Sequence, residues 1–286
     1  MNSATIAFPL FVASTLSDGG SKGIGKELAL CLISKGCNVS MIARTERDLE
    51  LICEGLQLMA DKRGQLQKVR CYSLDLTRSF EEGVFDEQPI ADFEDQMRVN
   101  YLSAVYVTRC VVPYMKSRRS GHISFVSTEA AQCPIYGYSA YGPSKLALRG
   151  FADVLQMELL PYNINISVLY PSNTDSESFR VKAVGRMDET RLIADSFGLF
   201  TPQEVAEAHV KDIENGNCTT SMGLDGWMLG IATAGVSPEP SVSRAFIQVL
   251  FAGVCRFVAL VYLGNFNRIL KKHYQKRQLQ RESGQR

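Results

Sequence analysis

The chain has 286 residues, of which 45% are hydrophobic and 21% charged, an ordinary globular composition that excludes a mostly disordered chain. Lys and Arg number 31 against 30 Asp and Glu, a net charge of +1, so the overall balance gives no ground for nucleic acid as a partner. The 8 cysteines form no CxxC pair and only 3 histidines accompany them, which argues against a structural zinc site.

At the N-terminus, residues 4–16 read ATIAFPLFVASTL. This run is shorter than the roughly 20 apolar residues a membrane span needs and lacks the charged start of a signal peptide. It reads as a buried strand, FVASTL (11–16). A helical period follows over 26–36, ending at Gly36. Residues 38–44 (NVSMIAR) read as a strand, 46–64 as an amphipathic helix ending at Gly64, and 68–75 (KVRCYSLD) as a third strand. Then come a long helix (93–119), a strand (121–127, GHISFVS), a helix (144–162) and a strand (165–170, NISVLY). Strands separated by helices imply βαβ units, so the expected class is α/β: a Rossmann-like, doubly wound parallel sheet with helices on both faces. The cysteines sit within these apolar runs, as in Leu30-Cys31-Leu32-Ile33, and are expected to be reduced core thiols facing the cytosol.

Residues 171–200 read as a loop-rich lid. Beyond 217 the pattern changes, and the chain divides into 1–217, a dinucleotide-binding reductase domain, and 218–286, an apolar, membrane-associated helical segment with a basic tail. Residues 245–264 are broken only by Gln248 and Arg256. Both a helix that crosses a bilayer and one that lies on it remain open. The tail (Arg268, Lys271, Lys272, Lys276, Arg277, Arg281, Arg286) suits the cytoplasmic side and anionic lipid.

Two clusters carry chemistry. The first strand runs into Asp18-Gly19-Gly20-Ser21-Lys22-Gly23-Ile24-Gly25, which opens a helix. Glycines at 19, 23 and 25 permit a tight turn and close approach to a pyrophosphate, and the helix start offers free N–H groups. The second strand ends at Arg44 with no acid; with Lys22 this suits the 2′-phosphate of NADPH rather than NAD. Asp75 is placed either to accept from the adenine amino group or to cap a helix. In the second cluster, Tyr141 and Lys145 lie one helical turn apart on one face. A free tyrosine titrates near about 10. A cation one turn away, together with the charged nicotinamide, favours phenolate and lowers that value. Ser127 and Thr128 end a strand where a hydroxyl can hold a carbonyl oxygen, and Asn100 is placed to order a water toward Lys145.

With these motifs the chain resembles the short-chain dehydrogenase/reductases. The glycine turn is similar to the family's TGxxxGxG, and SFVST…YGPSK to its Ser/Tyr/Lys constellation. Further runs (VNYLSAVY, YPSNTDSESF, ETRLI, GLDGWML, ALVYLGNF) resemble the branch that reduces 3-ketosphinganine to sphinganine in sphingolipid synthesis. That resemblance implies an NADPH-dependent enzyme of the endoplasmic reticulum membrane with its catalytic domain in the cytosol and a long-chain keto-base as substrate. Asn100, Ser127 or Thr128, Tyr141 and Lys145 would be catalytic. Gly19, Ser21, Lys22, Gly23, Ile24, Gly25, Arg44, Asp75, Tyr141, Lys145, Pro171 and Thr174 would hold the cofactor, with no metal. Another lipid or steroid ketone is the alternative substrate, and both a monomer and a homodimer through 93–119 and 144–162 stay open.

The chain also departs from the pattern. Asp18 stands where the family has Thr or Ser, and the branch's N-terminal membrane helix is not seen. Asn100 follows Asp75 by only 25 positions, where the family fits a helix and the fourth strand with its Asn-Ala-Gly turn. A sheet lacking its fourth strand is therefore expected, with unpaired ladder groups on two sides. Such a shortened form carries its own alternative: an impaired, membrane-associated protein without enzymatic activity.

Overall fold

The computed structural model describes residues 10–13, 21–43, 45–62, 68–73 and 82–282. In chain order these form β1 (Leu10–Ala13), α1 (Gly23–Ser34), β2 (Val39–Ala43), α2 (Glu46–Lys62), β3 (Val69–Ser73), α3 (Ile90–Met97), α4 (Ser103–Arg118), β4 (Gly121–Val126) and α5 (Tyr141–Leu159). There follow β5 (Ile164–Tyr170), β6 (Asn173–Thr174), α6 (Glu177–Ala183), α7 (Asp188–Ala194), β7 (Leu199–Phe200), α8 (Pro202–Glu214), β8 (Thr219–Ser221), α9 (Gly223–Ala232) and α10 (Val242–Glu282). The architecture is a parallel α/β fold of Rossmann type.

The helices form because their apolar residues recur at helical spacing. Ile24, Leu28, Leu32 and Ile33 of α1 and Leu49, Cys53, Leu56 and Ala60 of α2 are buried. With Val205, Ala206 and Val210 of α8 they cover one face of the sheet. Leu148, Ala152, Leu155 and Leu159 of α5, with Ala104 and Met115 of α4, cover the other. The central strands β4 and β5 are buried almost throughout because both faces are covered. Helix α8 opens with a reciprocal cap: Thr201 Oγ1 accepts from the Glu204 N–H, and Glu204 accepts from the Thr201 N–H. This TPQE signal was readable in the sequence.

The fourth strand of the family order is absent among the described residues, as expected, yet the sheet responds differently from the expectation. Strand β1 pairs directly with β4, in parallel, from Leu10↔His122 to Ala13↔Phe125. The main sheet has the order β1-β4-β5-β8, so β4 is paired on both sides. The break falls elsewhere: β2 and β3 make their own two-stranded sheet, and no ladder among the described residues joins it to β1. The reason is the position of β4. Buried on both faces, it has no water to satisfy an open row of peptide groups, and β1 supplies that row. The acidic segment between α2 and α4 forms no strand from 82 to 89; Gly83 bridges Tyr138 instead.

Residues 171–200 are not a loop-rich excursion. They fold into β6, α6, α7 and β7, with β6 and β7 paired in parallel. Both helices are only 7 residues long, too short for a periodic pattern to stand out. The outer strand β8 lies beyond residue 217 and pairs with β5, so the sheet takes in the first residues after that point.

Helix α10 runs unbroken through the apolar stretch and into the basic tail, about 60 Å at 1.5 Å per residue. It is the one helix among the described residues long and apolar enough to cross a membrane. Its inner side rests on α9 and α7. Phe266 packs with Cys133 and Ile193, and Arg277 pairs with Glu189 of α7. Phe246, Val249, Leu250, Val254, Phe257 and Val261 remain exposed on its outer side. All eight cysteines are free thiols.

Under the sheet, His209 of α8 is fully buried, bonded through Nε2 to Ser124 and through Nδ1 to Thr220. His122 bonds Ser167 at 2.8 Å. Burial holds both rings neutral, lowering His122 to about 4 and His209 to about 3. An unfolded histidine binds its proton near about pH 6.5, so the unfolded state takes up protons first as pH falls. Stability is fully present above that pH and is lost progressively down to about pH 4 for His122 and about pH 3 for His209. The melting temperature should drop across this window, and His209→Gln should make the drop shallower; an unchanged slope would show that these rings are not the cause.

Candidate active site

The site assembles where the carboxyl ends of β4 and β5 meet the first turns of α1 and α5, the usual ligand crevice of an open α/β sheet. Tyr141 begins α5, and its ring meets Tyr138 edge to face at 5.5 Å between centroids. Its phenol is beside the Thr128 hydroxyl. Burial pushes the phenol up to about 12, against the Thr128 hydrogen bond, which lowers it. The lowering expected from Lys145 does not decide the value here: desolvation sets it, with the Thr128 bond opposing. Lys145 is 1% exposed, donates from Nζ to the Val126 carbonyl at 3.1 Å, and stands 5.9 Å from the centre of the Tyr141 ring.

The two adjacent hydroxyls separate. Ser127 turns inward and donates to the Lys145 carbonyl at 3.0 Å, pinning α5 to the strand end. Thr128 is the one placed beside the phenol; its Oγ1 also accepts from the Ala130 N–H at 3.3 Å. Asn100 lies in a π-helical turn, Arg98–Leu102, that joins α3 to α4. Its Nδ2 donates to Gln96 at 2.7 Å and to Ser144 Oγ at 3.0 Å. Ser144 in turn donates to the Tyr141 carbonyl, so Asn100 braces the first turn of α5.

Lys22, Gly23 and Ile24 line the same cleft, as do Pro171 and Thr174. Ser21 is buried, and Gly25 lies in the first turn of α1. Gly23 has φ +53°, a conformation that favours glycine, and it starts the helix. Lys22 is half exposed and paired with Glu177 at 3.0 Å and Asp48 at 3.5 Å, which raises its pKa. A helix N-terminus entered through glycine, with a cation beside it, fits a phosphate-bearing cofactor. Gly19, Arg44 and Asp75 lie outside the described residues, as does Asp18.

A family model, short chain dehydrogenase, matches residues 79–184. The chain is 37% identical over 287 aligned positions to a 3-dehydrosphinganine reductase of Danio rerio, covering 91% of this chain and 86% of that one. It is 34% identical to a 3-ketodihydrosphingosine reductase of Bos taurus with the same coverage. This chain is a short-chain dehydrogenase. Among solved structures, the fold is similar to that of a short-chain dehydrogenase from Sphingobium yanoikuyae in complex with NADPH, with TM-score 0.61 and 19% identity over 74% of this chain and 87% of that one. A similar likeness, TM-score 0.61 and 18% identity over 72% and 89%, links it to the L-sorbose reductase of Gluconobacter frateurii.

Two features of this short-chain dehydrogenase escaped the sequence reading. Glu82 and Arg186 form an ion pair at 3.1 Å with both side chains buried, and Tyr138 donates to the same Glu82 oxygen. The shortened segment is therefore fastened over the lid side of the cleft, where Arg186 lines the wall. The second is Glu129, a buried acid that also lines the cleft. Neither shows a spacing that marks it; an isolated acid in a turn has no periodicity to break.

Proposed function

We propose that the chain reduces the 3-keto group of 3-ketosphinganine to sphinganine with NADPH, at the cytosolic face of the endoplasmic reticulum membrane. The observation that carries this is an apolar cleft next to the Tyr141 cleft. Phe197 lines both, and the second cleft continues between α9 and α10 along Met228, Leu229, Val258 and Leu263. A ketone at Tyr141 would turn its long alkyl chain toward this apolar cleft, between α9 and the inner side of α10. The relatives' names give the same substrate class.

Bound NADPH supplies the hydride. Tyr141 gives its proton to the substrate oxygen, which Thr128 holds by its hydroxyl. Lys145 stabilises the phenolate left behind, and Asn100 positions the turn that carries Tyr141. Lys22, Gly23, Ile24, Pro171 and Thr174 would hold the cofactor, with Ser21 and Gly25 shaping the α1 end. The protonated resting state of Tyr141 suits reduction, which needs an acid.

The test is the full chain in vesicles, given NADPH and 3-ketosphinganine. We expect NADPH oxidation with sphinganine formed in equal amount. The break between β1 and β2 favours a second reading, a membrane-associated protein without activity. Absence of saturable NADPH binding by fluorescence would support that second reading and end the first.

The outer side of α10 lies on the bilayer in this reading, with the basic tail on anionic headgroups. Its inner side is occupied by α9 and α7, which supports a surface-lying helix. Changing Phe246, Leu250 and Phe257 together to Glu should abolish flotation with anionic vesicles; retained flotation would assign the anchor elsewhere. Exposed Tyr106 and Tyr114 on α4 and Met157 on α5 support a homodimer face, to be read from sedimentation.

A further inference from the structure

One ionisable group in the cleft has no part in the proton transfer. Glu129 follows Thr128 directly, in the short turn after β4. It is 4% exposed, and its Oε1 has no hydrogen-bond partner. Burying a carboxylate without a donor is costly, several kcal/mol if it stays charged, and such groups are usually paired. Here burial raises the pKa to about 7. The neighbours do not offset this. Asp225 of α9 raises it further, the Ser172 hydroxyl after β5 favours the ionised form only in part, and the Cys133 thiol is itself held neutral by burial. Among the described residues no cation pairs with it.

The space for this carboxylate is built by a glycine. A Cβ at Gly226 of α9 would stand 2.6 Å from Glu129 Oε1, a distance that real side chains do not adopt. The close approach of α9 thus depends on the missing side chain, in the GLDGWML run of the sequence.

A lone buried acid at the wall of a substrate cleft is short of a cationic donor. Sphinganine is an amino alcohol, and in its 3-keto precursor the carbon bearing the amine adjoins the carbonyl. Residues 128 and 129 adjoin in the same way, their Cα atoms about 3.8 Å apart. Resting on the reductase reading above, we propose that Glu129 binds the substrate's 2-ammonium group, while Thr128 and Tyr141 hold the neighbouring carbonyl oxygen. The pairing gives the carboxylate the donor it lacks and fixes the ketone relative to the phenol. It also makes Glu129 a specificity residue: a lipid ketone without the amine leaves the acid buried and unpaired.

The experiment compares 3-ketosphinganine with its deaminated analogue, 1-hydroxyoctadecan-3-one, in the full chain and in Glu129→Gln. The unmodified protein should favour the amine-bearing ketone by roughly 10–100-fold in kcat/KM. In Glu129→Gln that preference should shrink by about tenfold or more, chiefly through KM, with NADPH affinity unchanged. A purely structural role for Glu129 would depress both substrates alike and keep the ratio; that result overturns the proposal. So does equal use of both ketones by the unmodified protein, a measurement that needs no variant. Turnover of neither ketone would instead remove the reductase reading itself, and the proposal with it.

Discussion

Tyr141→Phe is expected to lower kcat/KM for ketone reduction by about 10²–10⁴-fold, the usual contribution of a positioned general acid, and to leave NADPH affinity unchanged. The substitution removes one hydroxyl. The ring keeps its edge-to-face contact with Tyr138 and its place at the start of α5. The Ser144 brace acts on the backbone carbonyl of residue 141 and survives as well. What is lost is the phenol bonded to Thr128 at the cleft. Single-turnover reduction and a fluorescence titration of NADPH separate the two effects; near-normal turnover would mean that another group is the acid. The unchanged protein offers a companion measurement. Because burial holds the Tyr141 proton up to about 12, loss of the acid should not slow reduction between about pH 6 and 9. The reverse oxidation, which needs phenolate, should quicken as pH rises through that range.

Lys145→Met is expected to cost about 10²–10³-fold in kcat while the fold holds. Methionine matches the length of the stem, which is buried, and removes an ammonium that donates to the Val126 carbonyl. Taking a charge out of a buried site is often neutral for stability or favourable. Catalysis suffers for a different reason: the phenolate formed in each turnover then has no cation nearby, and burial alone opposes its formation. The readout that distinguishes this from misfolding is the pH profile of oxidation, whose rise should move to higher pH in the variant with circular dichroism unchanged. A profile that stays in place would assign Lys145 a structural role.

How much of this was legible depends on the range of the interaction concerned. The helices at 23–34, 46–62 and 141–159 follow from local spacing of apolar residues, and their observed ends lie within a few positions of the expected ones. The grouping of Thr128, Tyr141 and Lys145 was likewise legible, since a strand end and a helix start fix where each side chain stands. The choice between Ser127 and Thr128 was not, because both line the cleft and what separates them is the Lys145 carbonyl, 18 positions later, that takes up the Ser127 hydroxyl. Strand partnership was also hidden: the β1–β4 pair joins residues far apart in the chain, and the loss of an intervening strand changes it without altering either sequence run. Glu129 was illegible for a third reason. Its carboxylate lies against Gly226, nearly a hundred positions later, a contact no local pattern announces.

The separation of β2 and β3 from the main sheet has a consequence for how a dinucleotide would be taken up. The end of β2, where the adenosine portion belongs, rides on one hydrogen-bonded unit, and the phenol and threonine for the nicotinamide portion ride on another. Among the described residues, side-chain packing through α1, α2 and α8 and the Lys22–Asp48 ion pair tie the two together. A cofactor spanning both would act as a molecular staple, and part of its binding free energy would appear as mutual immobilisation of the halves rather than as affinity.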